Sequence, residues 1–132
     1  MDDRMERGRQ VATSLFAEGG VRLPAPPEIA RDWGRFTLST AMGDVWARPG
    51  LGLRERGLVT IAALTALGWS HELRLHLQAA RKLGWSRAEL CEAIWHLAIY
   101  AGFPAAVEGM RAAQEVFAQE ESLEAGGDVA AE

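Results

Sequence analysis

Apolar residues recur at intervals of three and four along nearly the whole chain, the spacing that gives a helix one buried stripe. Over residues 3–17 the stripe is Val11, Ala12, Leu15 and Phe16, and Gly19-Gly20 stops it. Residues 22–27 are a Pro-rich loop. Ile29, Trp33, Phe36 and Thr40 then keep helical spacing, and this second helix is expected to end near Gly43. Ala47-Arg48-Pro49-Gly50 has the composition of a turn. Residues 53–67 are apolar on most sides, as in a helix placed mid-bundle or at a subunit contact.

Gly68 ends that helix, and Ser70 is the expected N-cap of the next, with Glu72 in its first turn. This helix is expected to reach Leu83 and stop at Gly84. Ser86-Arg87-Ala88-Glu89 is a capping box, and Trp85 with Leu90 can staple it. Leu90, Ile94, Leu97, Ala98 and Ala101 form the next buried stripe. Gly102 suits the position after that helix, and Pro104 suits the first turn of a last one reaching about Glu121. No segment alternates with period two for long enough to predict a strand. The expected fold is therefore all-α, a compact bundle of about six helices. Its expected divisions are an N-terminal helix and loop (1–27), the main helical domain (28–121) and a disordered acidic tail (122–132).

Composition narrows the choice of function. The chain has 132 residues, 48% of them hydrophobic and 24% charged, with a net charge of −4. An acidic balance argues against a nucleic-acid partner. No apolar stretch of the length a bilayer requires is present, and residues 1–10 lack the apolar core of a signal peptide, so no membrane partner and a cytoplasmic location are expected. Lys82 is the only lysine, so a Schiff-base mechanism would depend on it, yet it lies in a polar stretch beside Arg81. Cys91 is the only cysteine, which excludes an intrachain disulfide and a CxxC redox pair. Five tryptophans in so short a chain call for burial partners, some of them across a subunit interface.

The histidines supply the candidate chemistry. His71 and His76 superficially suggest a zinc helix, but a spacing of five turns the second about 140° from the first, so no metal site is expected. Glu72 and His76, four apart, share a face. A carboxylate one turn away can fix an imidazole's tautomer and raise its pKa, which prepares it for proton transfer. The alternative is a structural pair. Glu92, His96 and Tyr100 form a second ladder with the same two readings. Arg48, Arg54 and Arg56 flank a turn and a helix start; they are either a solvated helix start or, since cations there oppose the helix dipole, groups that face an anion.

Three blocks resemble the carboxymuconolactone decarboxylase family. They are Gly43-Asp44-Val45-Trp46-Ala47-Arg48-Pro49-Gly50-Leu51 with Arg54-Glu55-Arg56 and Leu58-Val59-Thr60-Ile61-Ala62, then Glu72 to Ala80, then Ala98 to Ala106. They stand in family order and cover roughly residues 33–114. The first helix matches only loosely. The resemblance implies an all-α fold shared with alkyl hydroperoxidase D-like proteins, built into trimers or hexamers. It implies conversion of 4-carboxymuconolactone to 4-oxoadipate enol-lactone and carbon dioxide in protocatechuate breakdown. The peroxidase branch of the superfamily requires residues that this chain replaces with Gly57, Trp69 and Glu72.

The implied reaction needs no cofactor, because the lactone carbonyl takes the electrons that carbon dioxide leaves behind. It needs donors at that carbonyl, a cation for the acetate arm, an apolar wall and an acid. On the family blocks, His76 is the expected acid oriented by Glu72, with His96 as the alternative acid. Arg48 and Arg56 are the expected anion clamps, followed by Arg54, and Trp46, Tyr100 and Phe103 are candidate walls. The alternatives are a lyase, isomerase or hydrolase on another small molecule, or a non-catalytic oligomeric binding protein of the same fold.

Overall fold

The computed structural model describes residues 3–17 and 23–131. Among them there are six α-helices, one π-helical segment and no strand. The chain divides into two compact units, Met1–Arg56 and Gly57–Glu132. The Gly19–Gly20 stop lies outside the described residues.

The first unit is built on α1 (Asp3–Leu15), α2 (Ala30–Thr37) and a π-helix (Leu38–Trp46). Met5, Gly8, Val11, Ala12 and Leu15 are the buried side of α1, and Asp3 and Glu6 suit the positive end of its dipole. Two glycines let α1 and the π-helix approach closely. A Cβ on Gly8 would stand 2.6 Å from the Leu38 carbonyl oxygen, and one on Gly43 would overlap the Arg4 carbonyl oxygen. Arg4 fastens the same contact with a two-pronged bond, Nε to Asp44 Oδ1 at 2.8 Å and Nη2 to Oδ2 at 2.7 Å.

The second helix does not end near Gly43. It passes into π-helical turns that reach Trp46, closed by the Ala47 amide on the Met42 carbonyl at 3.0 Å. Ser39 sits at the change of pitch, with its hydroxyl bonded to the Arg35 carbonyl at 2.8 Å, a competitor for helical backbone acceptors. π-helical turns are frequently found at functional sites. No residue of α2 itself is buried, and Trp33 and Phe36 stack on each other at 6.0 Å in the open.

α3 (Leu53–Leu67) begins in the first unit and continues into the second, which also holds α4 (Ser70–Lys82), α5 (Arg87–Tyr100) and α6 (Phe103–Ala131). Its core takes Ile61 and Leu64 from α3 and Leu73, Leu77 and Ala80 from α4. Leu90 and Ile94 enter from α5, and Ala112, Ala113 and Val116 from α6. Small residues bring α6 close: a Cβ on Gly109 would meet Ile94 at 2.8 Å and Thr65 at 3.1 Å. Arg81 clamps Glu120 through Nε and Nη2, tying α4 to α6.

The helix stops follow from the glycines. Gly68, Gly84 and Gly102 all take positive φ, a region costly for residues bearing a Cβ. The capping box of α5 is complete: Glu89 N donates to Ser86 Oγ at 3.0 Å, and Ser86 N to Glu89 Oε1 at 2.9 Å. Two boundaries differ from expectation. Trp69, not Ser70, holds the N-cap position of α4, and no side chain caps it. α6 continues past Glu121 to Ala131, where a tail was expected.

Candidate active site

α4 carries the central pair. His76 is flanked by Leu73 and Leu77, both essentially inaccessible, and its Nδ1 is shielded from solvent. Burial pushes the imidazole below its ordinary pKa, and the charge of Glu72 pulls it back only in part. The sequence led to the opposite direction, a pKa raised by the carboxylate. Glu72 is itself exposed, so water weakens its field, and desolvation of the ring prevails. Burial thus favours the uncharged imidazole, in which one nitrogen can give a proton and the other can take one.

The arginines separate into distinct roles. Arg56 turns back on the chain: Nε donates to the Leu51 carbonyl and Nη2 to the Arg48 carbonyl, both at 3.1 Å. It thus clips the turn that carries Arg48. Arg54 is exposed in the first turn of α3. Arg48 is exposed and forms no ion pair among the described residues.

A concavity of about 480 Å³ lies within the first unit. Arg7, Gln10 and Ser14 line it from α1, and Trp46, Arg48 and Leu51 line it from the end of the π-helix and the turn. Of the three candidate walls only Trp46 lies here. Tyr100 and Phe103 are 75% and 72% exposed, on an open face of the second unit. His96 is exposed there too, with its ring 5.0 Å from that of Tyr100. The structure thus brings together Glu72 with His76, His96 with Tyr100, and Trp46 with Arg48. Lys82 is exposed.

Arg7, Gln10 and Ser14 escaped the sequence reading. Their spacing was the available signal, because i, i+3 and i+7 place them on one face of α1 beside the buried Val11. Nothing in the sequence said that this polar face would border a pocket rather than bulk water.

Residues 31–115 match the model of the carboxymuconolactone decarboxylase family. The chain belongs to that family. It is 42% identical over 118 residues to the 4-carboxymuconolactone decarboxylase of Acinetobacter baylyi, covering 88% of each chain. It is 31% identical over 114 residues to a nitrosuccinic acid decarboxylase of Metarhizium robertsii, covering 86% of this chain and 78% of the relative. It is 33% identical over 86 residues to an uncharacterized 15.0 kDa protein of Paracoccus denitrificans. Within the carboxymuconolactone decarboxylase domain, the first block forms the end of the π-helix, the turn and α3. The second is α4 with Glu72 and His76, and the third joins α5 to α6. The matched span excludes α1, so Arg7, Gln10 and Ser14 lie outside it.

Proposed function

We propose that this chain is a carboxy-lyase that converts 4-carboxymuconolactone to 4-oxoadipate enol-lactone without a cofactor, in the breakdown of aromatic compounds. The observation that carries this is the 42% identity to a 4-carboxymuconolactone decarboxylase over 88% of both chains. The carbon bearing the departing carboxylate is conjugated through a ring double bond to the lactone carbonyl. When the bond to the carboxylate breaks, its electron pair passes to the carbonyl oxygen and carbon dioxide leaves. A proton then adds to the ring carbon beside the carbonyl, giving the enol-lactone.

In this reading His76 supplies that proton. Uncharged in the free protein, it takes up a proton as the anionic substrate arrives and passes it to the ring. Glu72 sets the imidazole's charge balance from one turn away. Arg48 holds a substrate carboxylate, Arg56 fixes the turn on which Arg48 sits, and Trp46 covers the carbon frame. His96 is the alternative acid, Arg54 a further anion clamp, and Tyr100 and Phe103 further walls.

The proposed working form is a cytoplasmic homotrimer or homohexamer. Trp95, Ile99, Tyr100 and Phe103 leave a large apolar surface around the α5–α6 junction in the single chain, which self-association would cover. No helix among the described residues is long and apolar enough to cross a membrane.

The nitrosuccinic acid decarboxylase among the relatives supports a second reading, in which a different diacid is the substrate. Both substrate names denote compounds with a leaving carboxylate, a group that accepts electrons and a second carboxylate that remains. The test is carbon dioxide release by the purified chain with each compound. Turnover of carboxymuconolactone upholds the first reading. Turnover of nitrosuccinate alone favours the second, and release from neither removes both.

A further inference from the structure

The pocket of the first unit has an electrostatic character unlike the chain as a whole. The protein carries a net charge of −4, yet this lining contains two arginines and no carboxylate. The Glu55 carboxylate stands beside Gly52 at the rim of the lining, and the other nearby acid, Asp44, is already taken. Arg4 grips both its oxygens and, with help from Arg7, holds its carboxyl below the usual range. Arg7 makes one long bond, Nε to the Gly43 carbonyl at 3.4 Å, and no ion pair among the described residues. Arg48 likewise has no acidic partner among them. Two guanidinium groups that form no ion pair among the described residues, beside an indole wall, form a receptor for a small organic anion. The volume, about 480 Å³, suits a ligand of one ring or a short chain.

From this we infer that the Arg7–Arg48 pocket binds the substrate carboxylate that stays on the product, and that α1 thereby sets specificity for diacids. The inference rests on the reading of the chain as a decarboxylase of small diacids. The two carboxylates of such a substrate need opposite surroundings. The departing one loses its charge as the bond breaks, so an arginine fork there would stabilise the ground state more than the transition state. The retained one keeps its charge throughout, and a fork there binds ground and transition states alike. A pocket with two arginines therefore suits the retained group. Gln10, one turn after Arg7 on α1, adds an amide that can donate to the same ligand. α1 lies outside the span matched by the family, whereas Trp46 and Arg48 lie inside it.

Succinate, a diacid with no electron-accepting group, is the probe, and binding is read separately from turnover. Saturable binding by the full chain in calorimetry is expected, together with a change in tryptophan emission that Trp46→Phe abolishes. Succinamide, its uncharged analogue, should not bind. Arg7→Gln should weaken succinate about tenfold or more, and Arg7→Lys by less, because it keeps the charge and loses the fork. With carboxymuconolactone, Arg7→Gln should raise KM more than it lowers kcat. Unchanged succinate affinity in a folded Arg7→Gln protein, or no saturable binding by the wild type, overturns the inference. Wild-type turnover with KM indifferent to Arg7 overturns it too, while leaving the decarboxylase reading intact. Arg7-dependent succinate binding without turnover of any diacid instead removes the decarboxylase reading.

Discussion

Glu72 stands one turn before His76 on α4, and its charge opposes, without reversing, the effect of burial on the imidazole. The pair is thus a balance between a hydrophobic environment that favours a neutral ring and an exposed carboxylate that favours a charged one. Side-chain NMR titration should place His76 below the ordinary histidine value of about 6.5. Glu72→Gln should move it lower still, since only the desolvation remains. The sign for stability follows. Between the folded and unfolded pKa values the unfolded chain binds more protons, so the contribution is present above about 6.5 and lost as pH falls. Urea midpoints across pH 5 to 8 should show this slope in the wild type and a weaker one in His76→Gln. An imidazole titrating at or above the ordinary value would remove the account.

The catalytic role of His76 has its own measure. His76→Ala should lower kcat with carboxymuconolactone by about 100-fold or more while far-UV circular dichroism stays unchanged. Glu72→Gln keeps the shape of the side chain and should cost less. Cys91→Ser should leave turnover nearly intact, because a lone half-buried thiol has no part in the proposed steps. If His76→Ala keeps most of the activity and His96→Ala does not, the acid lies on α5.

The legible and illegible parts of this protein divide along physical lines. Helix stops at Gly68, Gly84 and Gly102 and the capping box of Ser86 and Glu89 were readable because each depends on a few adjacent residues. The pairing of Glu72 with His76 was readable because helical spacing is fixed. The direction of the His76 pKa was not, since it depends on how deeply the ring is buried. The π-helical path to Trp46 was hidden for a similar reason. Its contacts with α1, at Gly8 and Gly43, join residues far apart in sequence. The bonds of Arg56 to the Leu51 and Arg48 carbonyls were hidden too, because only the fold reveals the directions of those carbonyls.

Gly43 makes the close approach in the first unit testable. An added Cβ would overlap the Arg4 backbone carbonyl, which cannot swing away as a side chain can. Gly43→Ala should destabilise the protein by about 1 to 3 kcal/mol, the usual range for overpacking. Gly34→Ala is the control, because a Cβ there meets nothing within 4 Å. Thermal unfolding of the two variants should separate them clearly. Equal midpoints would mean that the α1 contact yields without cost.

Arg56 and Arg48 should act as one unit, and a double-mutant cycle can show it. Arg56 donates to the Arg48 carbonyl, so its loss frees the turn that presents the Arg48 side chain. Arg56→Gln should therefore raise KM at least as strongly as it lowers kcat, an effect exerted through the position of Arg48. Arg48→Gln should raise KM directly. If Arg56 works only by placing Arg48, the double variant should be little worse than Arg48→Gln alone, a departure from additivity of about 0.5 kcal/mol or more. Arg56→Lys separates charge from geometry. It keeps the cation but cannot reach both the Leu51 and Arg48 carbonyls as a planar fork does, so it should behave like Arg56→Gln. Rescue by Arg56→Lys with additive losses in the double variant would show instead that Arg56 meets the substrate anion as a charge in its own right.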